Sequence, residues 1–272
     1  MRPLKTLDRV FSKAGLGSRT DARVWIAAGR VRVNGRVVED PDQWVDLERD
    51  RVTLDGKPIE AAQPAYILLY KPKGFLTTWR DPHGRPTIYD LAADACTWLS
   101  PVGRLDLDTS GLLLLTNDTA FAEHVTNPAH KVPKTYEVKA GTLLTDEQIE
   151  RLRSGVELSD GPTHPARVKR LRDGPKHTHL EIIIAEGRNR QVRRMLEAVG
   201  SKVSKLVRTA IGPIRIGELP IGKWRHLTAD EVRQLSGPAS ERRLTPNSNT
   251  SEVRKRPPRR SPSGKSRSWT KS

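Results

Sequence analysis

Residues Gly103 to Asp118 read GRLDLDTSGLLLLTND. Four consecutive leucines, Leu112 to Leu115, follow a polar turn and read as a buried strand. The turn carries Asp106 and Asp108, so a carboxylate is aimed from a loop anchored on a rigid element. Such a turn is ordinary by itself, because Asp, Ser and Thr in turns mostly bind their own backbone. The residues alone do not rank Asp106 above Asp108. Working outward, YILLYKPKG from Tyr66 to Gly74 reads as a second buried strand that runs into a Pro and Gly turn, after a short break at residues 61–64. Further strands are predicted at Lys134–Ala140, Ala166–Leu171, His179–Ala185 and Leu206–Ile211. Thr145 with Gln148 makes a capping box for a helix to Arg153, Asn189–Val199 is helical, and Thr228 with Glu231 opens a final helix. Strands and helices do not alternate strictly. The expected class is therefore α+β, a largely antiparallel mixed sheet with flanking helices.

A smaller unit precedes this sheet. Leu7, Val10, Phe11 and Ala14 form the stripe of an amphipathic helix that Gly15 and Gly17 end. Ser18 with Asp21 caps a second helix running through Trp25 and Ile26 to Gly29. Val31, Val33, the Asn34-Gly35 turn, Val37 and Val38 then read as a β-hairpin. Arg9 and Lys13 share one helix face, as do Arg19 and Arg23, and Arg30, Arg32 and Arg36 continue into the hairpin. A solvated helix face is the plain reading of such a run. The order SRTDARVWIAAGRVRVNGRVV, however, resembles the RNA-binding module of ribosomal protein S-four and its relatives. That resemblance covers about residues 5 to 60 and implies recognition of RNA through shape and phosphates.

The chain has 272 residues, 48 Lys and Arg against 32 Asp and Glu, and one cysteine. A formal charge of +16 points to a polyanionic partner, nucleic acid above all. No apolar run reaches the roughly 18 residues of a membrane span and no signal peptide is evident, so a cytoplasmic protein without a membrane partner is expected. Cys96 by itself makes neither an internal disulfide nor a zinc site of several cysteines. From Pro238 to Ser272 ten Lys and Arg face two Glu among scattered Pro and Ser, the composition of a disordered basic tail. The expected division is 1–60, 65–237 and 238–272. His177 and His179 share a strand face, but without a third ligand nearby cross-strand packing is favoured over metal. EGRNRQ has one glycine where a dinucleotide fingerprint needs three. WRDPHGRPT, from Trp79 to Thr87, suits an RNA-contacting loop or a mere connection.

GRLDxxTxGLLLLT is the central signature of the bacterial rRNA pseudouridine synthases of the RsuA/RluB type, and the chain resembles them closely. KPKG at Lys71–Gly74 looks like the family's motif at the start of its catalytic domain, and AEGRNRQVRRMLEAVG at Ala185–Gly200 like its C-terminal basic motif. With the N-terminal module, the resemblance spans residue 5 to about 237. It implies that Asp106 is the catalytic aspartate, that Tyr136 packs on the target base, and that Arg193 pairs with the aspartate. Lys71, Arg104, Arg190 and Arg194 join Arg9, Lys13, Arg19, Arg23, Arg30 and Arg32 as expected RNA contacts.

The implied reaction explains these residue types. Making pseudouridine breaks the bond from the sugar carbon to uracil N1, turns the freed base and rejoins it through C5, with no redox change, metal or cofactor. A carboxylate can attack the sugar carbon or assist elimination of the base, much as glycosidase carboxylates do. The base must be flipped into a pocket, where an aromatic ring can stack on it; the phenol can also relay a proton. The expected partner is ribosomal RNA, 23S in preference to 16S, met by a monomer during ribosome assembly. Alternatives are a 16S enzyme, a non-catalytic ribosome-assembly factor, and a glycosidase, the last disfavoured by the basic charge and the lack of a second carboxylate.

Overall fold

The N-terminal residues follow their hydrophobic spacing. In the computed structural model, which describes residues 4–47, 49–60, 63–95 and 98–236, helix Leu7–Lys13 buries Leu7, Val10 and Phe11. Ser18 opens helix Arg19–Ala27 with a complete capping box to Asp21. Strands Val31–Val33 and Arg36–Val37 pair around Asn34 and Gly35, both at positive φ (53° and 82°). That turn matches the natural twist of a two-stranded ribbon. A second hairpin, Val52–Leu54 with Lys57–Pro58 around Asp55-Gly56, repeats the device and completes a four-stranded sheet. Leu7, Phe11, Ile26, Val31 and Val52 form the module's core.

The larger sheet has nine strands among the described residues. Its main path runs Arg167–Asp173, Thr178–Ile184, Lys134–Ala140, Val203–Ile211, Ser110–Thr116, Tyr66–Lys71 and Trp224–His226. Neighbours on that path pair antiparallel except where Val203–Ile211 meets Ser110–Thr116, which is parallel. The expected class is therefore what the chain adopts. Helices Asp146–Ser154 and Gln191–Ala198 cover one half of the sheet, packing Ile149, Leu152, Met195 and Leu196 on Val138, Leu180 and Ile182. On the other half Ile67 and Leu69 join Leu113, Leu115 and Ile88. Leu112 and Leu114 are also buried, so the four-leucine strand has no wet face.

The two regions touch. Trp98 N–H donates to Gly15 O at 3.1 Å, and Arg80 pairs with Asp21 at 3.3 Å while lying over the Trp79 ring. Within the Trp79–Thr87 loop, Asp81 accepts from both the backbone and the guanidinium of Arg85, so that segment is a self-braced turn. His177 and His179 pack their rings edge to face, 5.1 Å apart. Among the described residues no helix is long and apolar enough to cross a membrane. Cys96 and the tail from 238 onward lie outside the described residues.

Candidate active site

The Gly103–Thr109 loop is pinned at both ends and open in the middle. Leu105 sinks into the core and Thr109 is buried, while the Asp106 side chain between them keeps 35% of its surface. Thr109 N–H closes the turn onto Asp106 O at 3.1 Å. The KPKG segment holds the loop from below. Lys71 has no exposed surface, and its ammonium donates to Asp106 O (2.9 Å), Thr109 O (2.9 Å) and Pro72 O (3.2 Å). Gly74 N–H donates to Leu107 O at 2.7 Å, and Thr77 Oγ1 to Leu105 O at 2.7 Å. Burial lowers the Lys71 pKa to about 8, against the pull of Asp106 and Asp108. A lysine so enclosed cannot meet RNA, which corrects its expected role: it positions the loop.

Two arginines approach from helix Gln191–Ala198. Arg190, its N-cap, sits in the left-handed region (φ 48°), an uncommon conformation for a residue with a Cβ. Its Nη1 lies 3.7 Å from Asp106 Oδ2 and 3.2 Å from Asp108 Oδ1. Arg193, 8% exposed, donates from Nη2 to Asp108 O at 3.0 Å and to Thr109 Oγ1 at 3.3 Å, and pairs with Asp108 Oδ2 at 3.2 Å. The expected pairing of Arg193 with Asp106 is thus corrected. Arg193 grips the neighbouring carboxylate and the loop backbone, and it is Arg190 that comes nearest to Asp106. Burial alone would raise the Asp108 carboxyl, but the Arg190 hydrogen bond and the charges of Arg193 and Arg190 outweigh it and hold the group below its ordinary value.

Asp106, Tyr136, Arg190, Lys134 and Arg208 line one cavity of about 350 Å³, with Arg104 and Arg188 on its wall. Neither Asp108 nor Arg193 lines it. The sheet explains the grouping. Lys134 and Tyr136 alternate onto one face of their strand, and the ladder sets Tyr136 opposite Arg208, just past a bulge at Thr209. On its other side Arg208 faces Gly111 across the parallel contact. Gly111 has φ +119°, and a Cβ there would lie 2.2 Å from Arg208 O. Only glycine lets the two backbones come this close. Arg188 instead ties its loop to the strand Gly161–Pro162, donating to Gly161 O and Pro162 O.

The other expected RNA contacts divide. Arg194 pairs with Asp160 at 2.7 Å. Arg9 and Arg32 are exposed, whereas Arg19 and Arg23 both reach the fully buried Asp8, at 2.7 and 3.0 Å. Arg23 also meets Asp42, and Arg30 forms a two-pronged pair with Asp55. Lys13 is half-buried. The module's basic face is therefore partly neutralised from within. Arg208 and Lys134 escaped the sequence reading, although a charge inside the apolar run KLVRTAI is itself a signal of a buried functional group.

A family model described as RNA pseudouridylate synthase matches residues 65–198, and one described as S4 domain matches residues 5–52. The chain is 43% identical to an uncharacterized RNA pseudouridine synthase of Aquifex aeolicus (strain VF5), over 84% of this chain and 92% of the relative. It is 40% identical to ribosomal large subunit pseudouridine synthase B of Bacillus subtilis (strain 168), over 85% of this chain and 96% of the relative. A crystal structure of pseudouridylate synthase superposes with a TM-score of 0.61 at 31% identity, covering 85% of this chain and 99% of that one.

Proposed function

We propose that this chain, which belongs to the RNA pseudouridylate synthase family and is a pseudouridine synthase, isomerises one uridine of ribosomal RNA, in the 23S rRNA of the large subunit. The name of the Bacillus subtilis relative supports the large subunit, and the formal charge of +16 suits an RNA partner. We place the protein in the cytoplasm as a monomer acting during ribosome assembly, with an RNA-binding domain at 1–60, a catalytic domain at 65–237 and a basic tail at 238–272.

The contrast between the two aspartates of one loop carries the assignment. Asp106 opens onto the cavity beside Tyr136, whereas Asp108 is taken up by Arg190 and Arg193. In the proposed reaction the flipped uracil stacks on Tyr136 and its sugar carbon meets the Asp106 carboxylate. Asp106 either bonds to that carbon or draws a proton from its neighbour, and in both routes the base leaves, turns and returns through C5. Arg193 acts as a positioning residue, since it holds Asp108 and Thr109 and through them the loop. Arg190 faces both carboxylates, Asp108 at 3.2 Å and Asp106 at 3.7 Å. Arg104 and Arg190 are solvent-exposed at the cavity and are assigned to the RNA backbone.

The test is a map of pseudouridine in rRNA from cells lacking the gene, restored with the unaltered protein or with Asp106→Asn. One site in 23S rRNA should vanish, return with the unaltered protein and stay absent with the variant, which should still bind rRNA. Turnover by Asp106→Asn would move the assignment to the neighbouring aspartate; Asp108→Asn, which loses the ion pairs to Arg190 and Arg193 that hold the loop, should be slowed but keep measurable turnover. A missing site in 16S rRNA would replace the substrate.

A further inference from the structure

Among the described residues Arg208 is a cation without a counter-ion. It stands in an otherwise apolar stretch, between buried Leu206 and Val207 on one side and Ala210 and Ile211 on the other, and is itself 5% exposed. Its Nε donates to Leu112 O at 2.8 Å. Its Nη2 is buried and has no hydrogen-bond partner among the described residues, and no carboxylate there pairs with it. Lys134 lies on the same face, two residues from Tyr136, and burial with the nearby Arg208 charge holds its ammonium below the ordinary lysine value. The buried Lys71 is already used by three carbonyls, Arg193 by Asp108 and Arg190 by both aspartates. A buried guanidinium with an idle donor costs stability unless an anion completes it.

The reaction proposed above, on which this inference rests, supplies one anion at this place. Cleavage of the bond from C1′ to N1 leaves its electron pair on N1, shared with O2 and O4 of the uracil. The outcome is the same by either route. If an Asp106 oxygen bonds to C1′, the base departs as a monoanion; if Asp106 takes the C2′ proton, the pair left on carbon forms the C1′=C2′ bond and the base again departs as a monoanion. Return reverses the first step at a new atom: C5 bonds to C1′, Asp106 is released or gives its proton back to C2′, and the C5 proton moves to N1. Uridine and pseudouridine then hold the same atoms.

We propose that Arg208, assisted by Lys134, is the site for the departing base, donating to a uracil carbonyl oxygen as that oxygen takes up negative charge. Fixed donors aimed at charge that develops only in the transition state raise the rate more than the affinity. A phosphate of the RNA is the other anion the ligand brings, but it is charged before the reaction begins. A cation serving phosphate therefore acts on binding.

Single-turnover rates at saturating protein, on an rRNA fragment carrying uridine or 5-fluorouridine at the target, separate these cases. Fluorine withdraws electrons and stabilises the uracil anion, so the protein's cation matters less. Arg208→Met should slow consumption of uridine about 10²-fold, Arg208→Lys much less, and the loss should shrink on 5-fluorouridine. Where Arg208→Met fails to fold, because Nε ties its strand to Leu112, Lys134→Met carries the same test with a smaller loss and the same dependence on fluorine. Equal losses on the two bases, a defect that saturation abolishes, or unimpaired variants would each overturn the anion site. Failure of the unaltered protein to form pseudouridine would instead overturn the reaction itself, and that control is read first.

Discussion

Replacing Lys71 with methionine keeps an unbranched side chain one atom shorter and removes the ammonium that hangs the Asp106 loop from the KPKG turn. The magnitude follows from its burial. An unfolded chain titrates this lysine near 10.5, the folded protein near 8. Between those values the unfolded state binds more protons than the folded one, so this group makes stability rise with pH, by about 3 kcal/mol over the whole interval. Its contribution is complete above about 10.5 and is lost as pH falls through 8. The variant lacks the titration. Urea denaturation of both proteins at closely spaced pH values should show the unaltered protein gaining about 3 kcal/mol on Lys71→Met between pH 8 and 10.5. Other groups that titrate in that range cancel in the difference. Parallel stability curves would refute a charged, buried Lys71. Activity at pH 7 tests the second half of the reasoning: with Asp106 O and Thr109 O left without their donor, turnover should fall while RNA affinity holds.

Three further outcomes are expected. Arg193→Ala removes the grip on Asp108 and Thr109, and should cost about 10²-fold in single-turnover rate at saturating protein, the usual penalty for a reacting group displaced by about 1 Å; Arg193→Lys should recover part of it, and a normal rate for Arg193→Ala would assign the residue to binding. Gly111→Ala puts a methyl group against Arg208 O in a backbone conformation that alanine resists, and should destabilise the protein by at least about 3 kcal/mol; an unchanged denaturation midpoint would contradict the close approach of the two strands. Arg9→Gln and Arg32→Gln should each flatten the dependence of RNA affinity on salt by about one unit of log–log slope, whereas Arg30→Gln, whose charge is spent on Asp55, should do less; equal effects at all three would show that the internal pairs open on RNA.

Legibility in the sequence followed the range of the interaction. Lys134–Ala140 was readable to its ends because alternation and a proline set them locally. The capping boxes at Ser18, Thr145 and Thr228 likewise announced their helices. The short helix Ile88–Leu91 and the helix Thr119–Thr126 were not foreseen, although Thr87 with Asp90 and Asp118 cap them; the first is a single turn and the second only eight residues, too short for a helical period to stand out beside the strands. The Asp55-Gly56 hairpin was not foreseen, because its two strands are only three and two residues long. In the site, family motifs gathered Asp106, Tyr136 and Arg193 into one neighbourhood, but that Arg193 grips Asp108 is decided where helix Gln191–Ala198 meets a loop more than eighty residues away in sequence. The burial of Lys71 and the partnering of Arg19 and Arg23 by Asp8 are likewise decided by elements that meet only in three dimensions.

The parallel contact at Gly111 also fixes an order of events in the life of the chain. Arg208 and Leu112, joined there, are 96 residues apart in sequence, whereas the N-terminal helices and hairpins close on partners from within the first sixty residues. A ribosome adds about 5–20 residues per second. The N-terminal module therefore leaves the ribosome complete on the order of ten seconds before the strand that floors the cavity has been made. During that interval the nascent protein has a finished RNA-binding surface and no means of breaking a glycosidic bond. Capacity to hold RNA precedes capacity to alter it, and the delay is written into the distance between two strands.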